Sequence, residues 1–339
     1  MRMLEYLQDI SIYNDKLSRS AQWNKLGALL KIDIMKEIIK VISIAFVCAY
    51  AVPTFGQQEP QFTQYPDNTL FINPAYAGSR GLFNITGIHR EQWVGFDGRP
   101  VSTTLSAHSP LTYESVGLGI TMVNDQSGPI KQTMVYGDFS YTVKFKNDRK
   151  LAFGIKGGMN IISVGTSSLQ TADDNDPKLL QNVRNNINPN FGFGIYYHTP
   201  HFFIGASSPK LLERGYDGVS KVNVERRHYF GIIGGVLPLN NDWKLRPTAQ
   251  VKITEKSPIN IDASIAGIYK EKMWLGAMYR LNAAFGVFAQ FQVTPQFKLG
   301  IASDFGNQAI RNYNYGTFEV LMSYDFIFKK QGLRSPRYF

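Results

Sequence analysis

The sequence predicts an all-β fold: a transmembrane antiparallel β-barrel of about fourteen strands, with an N-terminal segment near its periplasmic rim. Three observations predict it. Apolar residues recur with period two from about residue 80 onward, one face of that alternation is repeatedly large and aromatic, and turn-forming breaks punctuate the runs. With 13% aromatic and only 18% charged residues, the chain is aromatic-rich and charge-poor for a soluble protein of 339 residues.

The first element is a secretory signal. In MKEIIKVISIAFVCAYAVPTFG, residues 35–56, Lys36 and Lys40 form the charged start, Val41 to Val52 the apolar middle, and Thr54–Phe55–Gly56 a small-residue exit. The apolar run is shorter than the ~20 residues a spanning helix needs and ends at Pro53, which argues against a membrane anchor. Residues 1–34 precede a natural-looking start at Met35 and read as an extension from a mis-chosen start codon. The lone cysteine, Cys48, lies in the removed run, so no disulfide framework or cysteine metal cluster is expected. Residues 57–81 then form a polar-aromatic segment before the barrel, 82–328 the barrel, and 329–339 a tail.

The strands follow in order near 82–93, 101–109, 115–123, 132–145, 150–162, 190–198, 201–207, 226–238, 242–253, 259–270, 272–280, 284–293, 297–304 and 317–328. Three runs show the logic. Val116, Leu118, Ile120 and Met122 share a face opposite Gly117, Gly119 and Thr121. Val135, Phe139, Tyr141, Val143 and Phe145 oppose Asp138, Ser140, Thr142 and Lys144. Phe318, Val320, Met322, Tyr324, Phe326 and Phe328 oppose Glu319, Ser323 and Asp325. A soluble sandwich or propeller also alternates. However, the second face here is too polar and glycine-rich for a dry core, which favours lipid on one side and a lumen on the other. Trp93, Tyr197, Trp243, Tyr269, Trp274 and Tyr279 fall near strand ends, where interfacial girdles form. The longest breaks, 164–189 and 208–225, read as outward-facing loops. Asp173, Asp174 and Asp176 in the first lack the glycine and distal glutamate of a calcium loop and read as a solvated loop.

Reactive chemistry is not written in the chain. The five histidines, His89, His108, His198, His201 and His228, show no metal-binding spacing, and there is no GxSxG elbow or P-loop. No catalytic, cofactor or metal residues are expected, and no enzyme activity. The formal charge of +10 is scattered rather than gathered into a reader motif, so no nucleic acid is expected as a partner.

The segment before the barrel carries a resemblance. Gln61, Phe62, Gln64 and Tyr65, then Asn73, Pro74, Ala75, Tyr76, Ala77 and Gly78, then Arg90, Gln92 and Trp93 closely resemble the PorP/SprF family of outer-membrane proteins, associated with the type IX secretion system of Bacteroidota. The ending Ser335, Pro336, Arg337, Tyr338 and Phe339 is similar to the family's usual C-terminus. The resemblance implies a non-enzymatic barrel of the secretion and gliding apparatus, helping secreted clients such as large adhesins to reach or stay on the cell surface. The partners it implies are outer-membrane lipid, a client with a C-terminal sorting domain, and periplasmic peptidoglycan-linked or motor-ring components. The other reading, an outer-membrane diffusion pore or hydrophobic-solute channel, needs an open lumen. From the residues themselves, Asn73–Pro74 favours a turn and the small residues around Tyr76 permit close approach, which suits a plug or a docking surface. Period two puts Arg90 and Gln92 on one face, with Arg90 a candidate lumen anchor for the segment and Trp93 turned toward lipid or an interface.

Overall fold

A computed structural model describes residues 59–111, 115–165, 183–215, 224–255, 257–306 and 313–327. The signal-like run 35–56, the acidic cluster at 173–176 and the ending at 335–339 lie outside these residues.

Alternation makes strands throughout. They are β1 (Phe83–Glu91), β2 (Val101–Pro110), β3 (Val116–Ser127), β4 (Ile130–Lys144), β5 (Lys150–Val164), β6 (Val183–His198), β7 (Phe202–Ser208), β8 (Arg214–Gly215), β9 (Val224–Glu225), β10 (His228–Gly235), β11 (Leu237–Pro238), β12 (Trp243–Thr254), β13 (Asn260–Tyr269), β14 (Met273–Arg280), β15 (Ala284–Gln292), β16 (Phe297–Gly306) and β17 (Thr317–Phe326). Each wall strand pairs antiparallel with its neighbour, β1 pairs with β17, and β10 with β12. The two-residue β11 continues the β10 side along β12, while β8 and β9 form a separate two-stranded ladder in the long connection after β7. The wall is therefore a closed ring of fourteen staves. Closure leaves no unpaired edge, which is what hydrocarbon demands of a spanning sheet.

The two faces of the ring part as alternation requires. On β3, Leu118, Ile120 and Met122 point out, and on β17 so do Phe318, Val320 and Met322. Between them Thr121, Glu319, Leu321, Ser323 and Asp325 point in and are buried. Ile155, 62% exposed, and Phe193, 54%, belong to a belt of outward apolar side chains far too extensive for a water-facing surface. No helix among the described residues is long and apolar enough to cross a membrane.

Two sequence expectations change. Residues 183–189 were expected in a loop, yet they extend β6, pairing as far as Val164↔Val183 with a register shift between Ile162 and Val164. Polarity and Pro189 hide this strand, because the β5–β6 pair runs beyond the apolar band. Trp274, expected in an interfacial girdle, is 1% exposed and points inward, with the Lys298 ammonium 5.6 Å from its ring centroid. The register of β14 puts Leu275 and Tyr279 outside instead.

The connections are unequal. The strand ends joined across 92–100, 165–182, 209–227 and 307–316 lie at one end together with the tight turns 128–129 and 281–283, whereas the strand ends at the other are joined across no more than seven residues, as at 145–149, 199–201, 236–242, 270–272 and 293–296. In barrels of this kind the short turns face the periplasm.

Candidate functional site

The segment that precedes β1 occupies the lumen. Its chain folds as a 3-10 turn (Tyr65–Asn68), one α turn (Thr69–Ile72) and a second 3-10 turn (Pro74–Tyr76), opened by prolines whose fixed φ suits a first helical position. Asn73 closes the break between them, its Oδ1 accepting from the Ala75 amide at 3.0 Å. A compact run of turns pairs part of its backbone locally and leaves the remaining groups to be met by side chains of the wall.

The segment runs the length of the barrel. At the long-loop end, the Glu59 carboxylate pairs with Lys210 at 2.6 Å, and the same ammonium reaches Glu225 at 2.6 Å. Lys252, at the long-loop end of β12, donates to the Glu59 carbonyl at 3.3 Å. At the short-turn end, Arg80 pairs with Asp325 at 3.2 Å, one residue before the end of β17. The expected position at the periplasmic rim therefore describes only residues near Gly78–Arg80. The rest extends inward, because the wall offers it partners all the way.

Between these ends the segment first contributes charged side chains to its anchoring and afterwards only backbone and uncharged side chains. The Arg90 guanidinium sits 2.7 Å from Asp304 and 3.3 Å from Glu319, and donates to the Thr63 hydroxyl at 3.1 Å. Glu319 in turn accepts from the Thr63 and Gln64 amides at 2.8 and 2.9 Å. Asp67 meets Lys298 at 2.5 Å, Arg246 at 3.5 Å and the Gln290 amide at 2.8 Å. Burial alone would raise the Asp67 pKa, but Lys298 and Arg246 overcome it and hold the carboxyl far below its usual range. Glu59 follows the same logic: burial raises it, Lys210, His228 and Lys252 lower it, and the result is about 2. Tyr65 hydrogen-bonds Thr248 at 3.0 Å and the Asp262 carbonyl at 3.3 Å.

Further along, Lys156 caps the short helix by donating to the Leu70 and Phe71 carbonyls at 3.2 and 3.3 Å while pairing with Asp138 at 3.0 Å. Ser207 donates to the Ile72 carbonyl, Asn73 to that of Ile195, and Ser140 to that of Ala77. Two wall glycines make this approach possible. A Cβ on Gly154 would lie 2.2 Å from the Ala75 nitrogen, and one on Gly117 2.2 Å from the Ala77 oxygen. Tyr76 packs edge-on to His108 and Tyr196, and Phe62 edge-on to Phe71. Gly78 adopts φ +74 where the chain turns toward β1, and its amide donates to His108 Nδ1.

Seven Lys or Arg and seven Asp or Glu are buried among the described residues, so the packed interior is charge-balanced. Two of the spaces between plug and wall have volumes of about 10 and 20 Å³. The larger is lined by Asn68 and Gln250, which keep polar atoms without a protein partner, so it suits a bound water.

Of the residues singled out from sequence, Phe62, Gln64, Tyr65 and Asn73 to Ala77 are buried in the lumen, and Gln61 is half-buried at its upper part. Arg90 joins them across the wall. Gln92 and Trp93 do not. Strand pairing ends at Glu91 and Trp93 has φ 56, so alternation stops and the shared face expected for Arg90 and Gln92 does not form. The wall partners Asp304, Glu319, Lys298, Arg246 and Lys156 were missed. Their one signal in the sequence was a charge on the inward face of an otherwise apolar-out strand.

Fold, faces and lumen define a plugged outer-membrane β-barrel. The family described as type IX secretion system membrane protein PorP/SprF matches residues 54–324, and the chain belongs to that family. No curated protein matches the chain. Among solved structures, the outer-membrane protein Omp33 of Acinetobacter baumannii is 9% identical, covering 72% of this chain and 98% of its own, with a TM-score of 0.45. The CymD monoaromatic hydrocarbon channel is 10% identical, with coverages of 77% and 93% and a TM-score of 0.48. The Pseudomonas putida toluene transporter TodX is 12% identical, with coverages of 78% and 95% and a TM-score of 0.45. At these scores the likeness carries no argument about function. The protein is an outer-membrane component of the type IX secretion setting.

Proposed function

We propose that this barrel is a non-conducting, non-enzymatic scaffold of the type IX system, which assists secretion or surface attachment of particular secreted proteins such as large adhesins. The observation that carries the reading is the filled lumen: a segment bearing the family motif runs through it and is tied to the wall from Glu59 to Arg80. A diffusion pore or solute channel needs a continuous path, and the packed plug argues against one. Work is then left to the ends of the barrel and to its outer wall. The client is recognised there through its C-terminal sorting domain, and periplasmic peptidoglycan-linked or motor-ring components engage the short-turn end. The gliding apparatus of a member of the Bacteroidota is the setting in which such a role fits.

The test is a clean deletion followed by a surface proteome. The expected outcome is an intact membrane with one or a few large secreted proteins missing from the surface, and an unchanged surface proteome would sink the reading. In planar bilayers the purified protein is expected to give no stable open conductance. A steady pore of defined size would transfer the protein to the transport class.

A further inference from the structure

We propose that the β4–β5 hairpin carries a binding site for an anionic glycerophospholipid of the periplasmic leaflet, its phosphate held by Arg149 and Lys146 and its chains lying along the outward aromatic face. The hairpin turns tightly through Asn147 and Asp148, both at positive φ, and is closed by the Phe145 amide donating to the Arg149 carbonyl at 2.8 Å. On its outward side an open depression of about 430 Å³ is lined by Phe145, Lys146, Asn147, Arg149 and Tyr197. Phe145, 51% exposed, continues the lipid-facing row of Tyr141 and Val143 on β4. The depression therefore begins where the apolar belt ends, and its mouth is cationic. That order, apolar wall then fixed positive charge, is the order of a phospholipid read from chain to headgroup.

The second observation is the charge itself. Residues 144–150, KFKNDRK, hold four cations and one carboxylate. Lys146 and Arg149 are exposed and make no ion pair among the described residues. The neighbouring short turns at the same end are different. There Lys244 pairs with Glu271, and Lys270 with Asp242 at 3.9 Å, so their charge is met within the protein. Lys146 and Arg149, exposed at the mouth of the depression, are left for a partner from outside. Its place beside the apolar belt favours a lipid over a soluble acidic protein, and the periplasmic end favours a glycerophospholipid over the phosphorylated glycolipid of the opposite leaflet.

The experiment uses the full barrel in lipid nanodiscs with equal phosphatidylglycerol and phosphatidylcholine, and reads co-retained lipid by native mass spectrometry after gentle extraction. The wild-type protein is expected to retain phosphatidylglycerol several-fold over phosphatidylcholine. The pair Lys146→Gln with Arg149→Gln is expected to abolish the preference, whereas Lys244→Gln with Lys270→Gln keeps it, and heat-dependent gel mobility confirms that each variant is folded. The wild-type comparison stands even if a variant misfolds: equal retention of the two lipids overturns the proposal. So does a double variant that retains the preference, or a wild-type preference for lipid A over phosphatidylglycerol. Loss of a co-purifying acidic protein with lipid retention unchanged assigns the hairpin to that protein and overturns the lipid site.

Discussion

The two halves of the plug are held by different physics. Residues 59–67 are tied by ions: Glu59 to Lys210, Thr63 and Gln64 to the Arg90–Asp304–Glu319 cluster, and Asp67 to Lys298 and Arg246. Residues 70–78 contribute no charge of their own and are tied through the backbone and by packing: carbonyls accepting from serine and from the Lys156 ammonium, rings edge to edge, and backbone seated on glycine. The first half therefore tolerates changes of volume better than changes of charge, and the second half the reverse. A charged anchor is specific because each buried ion is costly without its partner, while close packing is specific because nothing larger fits.

Arg90→Ala should have the largest effect. It leaves Asp304 and Glu319 buried without their cation, at a cost of about 3–5 kcal/mol, measurable as a lower denaturation midpoint of the detergent-folded barrel. A midpoint within error of wild type would erase the distinction between the halves. Acid should act on the same half. Because the Glu59 pKa is lowered in the folded state, its stabilisation is complete above the ordinary value of 4.5 and is lost as pH falls toward about 2. That window corresponds to about 3 kcal/mol, and Glu59→Gln should flatten the acid limb of the stability profile.

The packed half should answer to volume instead. Gly154→Val puts a side chain where the Ala75 backbone lies and should cost about 1–3 kcal/mol, with the plug becoming open to proteolysis from the periplasmic side. Gly137→Val is the control, since an added Cβ there has no neighbour nearer than 3.9 Å. Tyr65→Phe should be the smallest change, about 1 kcal/mol for the lost hydrogen bonds to Thr248 and the Asp262 carbonyl, because the ring still packs. A loss for Tyr65→Phe as large as for Arg90→Ala would mean that the charge cluster is not the dominant tie.

The wall was legible because each strand carries its own signal. Leu118, Ile120 and Met122 announce their face within one stave, as do Phe318, Val320 and Met322. The plug was legible only as a motif. Nothing local in QFTQYPDNTLFINPAYAGS says that Thr63 meets a carboxylate 256 residues away, or that Ala75 needs a glycine at 154. The hint lay in the wall. Inward glycines on β3, β5 and β6 leave room for close backbone approach, and inward charges on β13, β16 and β17 supply the ionic partners a filling needs. Trp274 misled for a similar reason, since an aromatic residue near a strand end has two faces to choose from and only register decides.

One consequence concerns the order of assembly. Arg90 and Glu319 are direct cross-strand partners on β1 and β17, the first and last staves, and the ion pair between them also grips Thr63 and Gln64. The clasp that fastens the seam is thus the clasp that holds the filling. Closing the seam and seating the segment therefore draw on the same side chains, and each step completes the binding surface of the other, as the last stave of a cask is fitted against its mandrel.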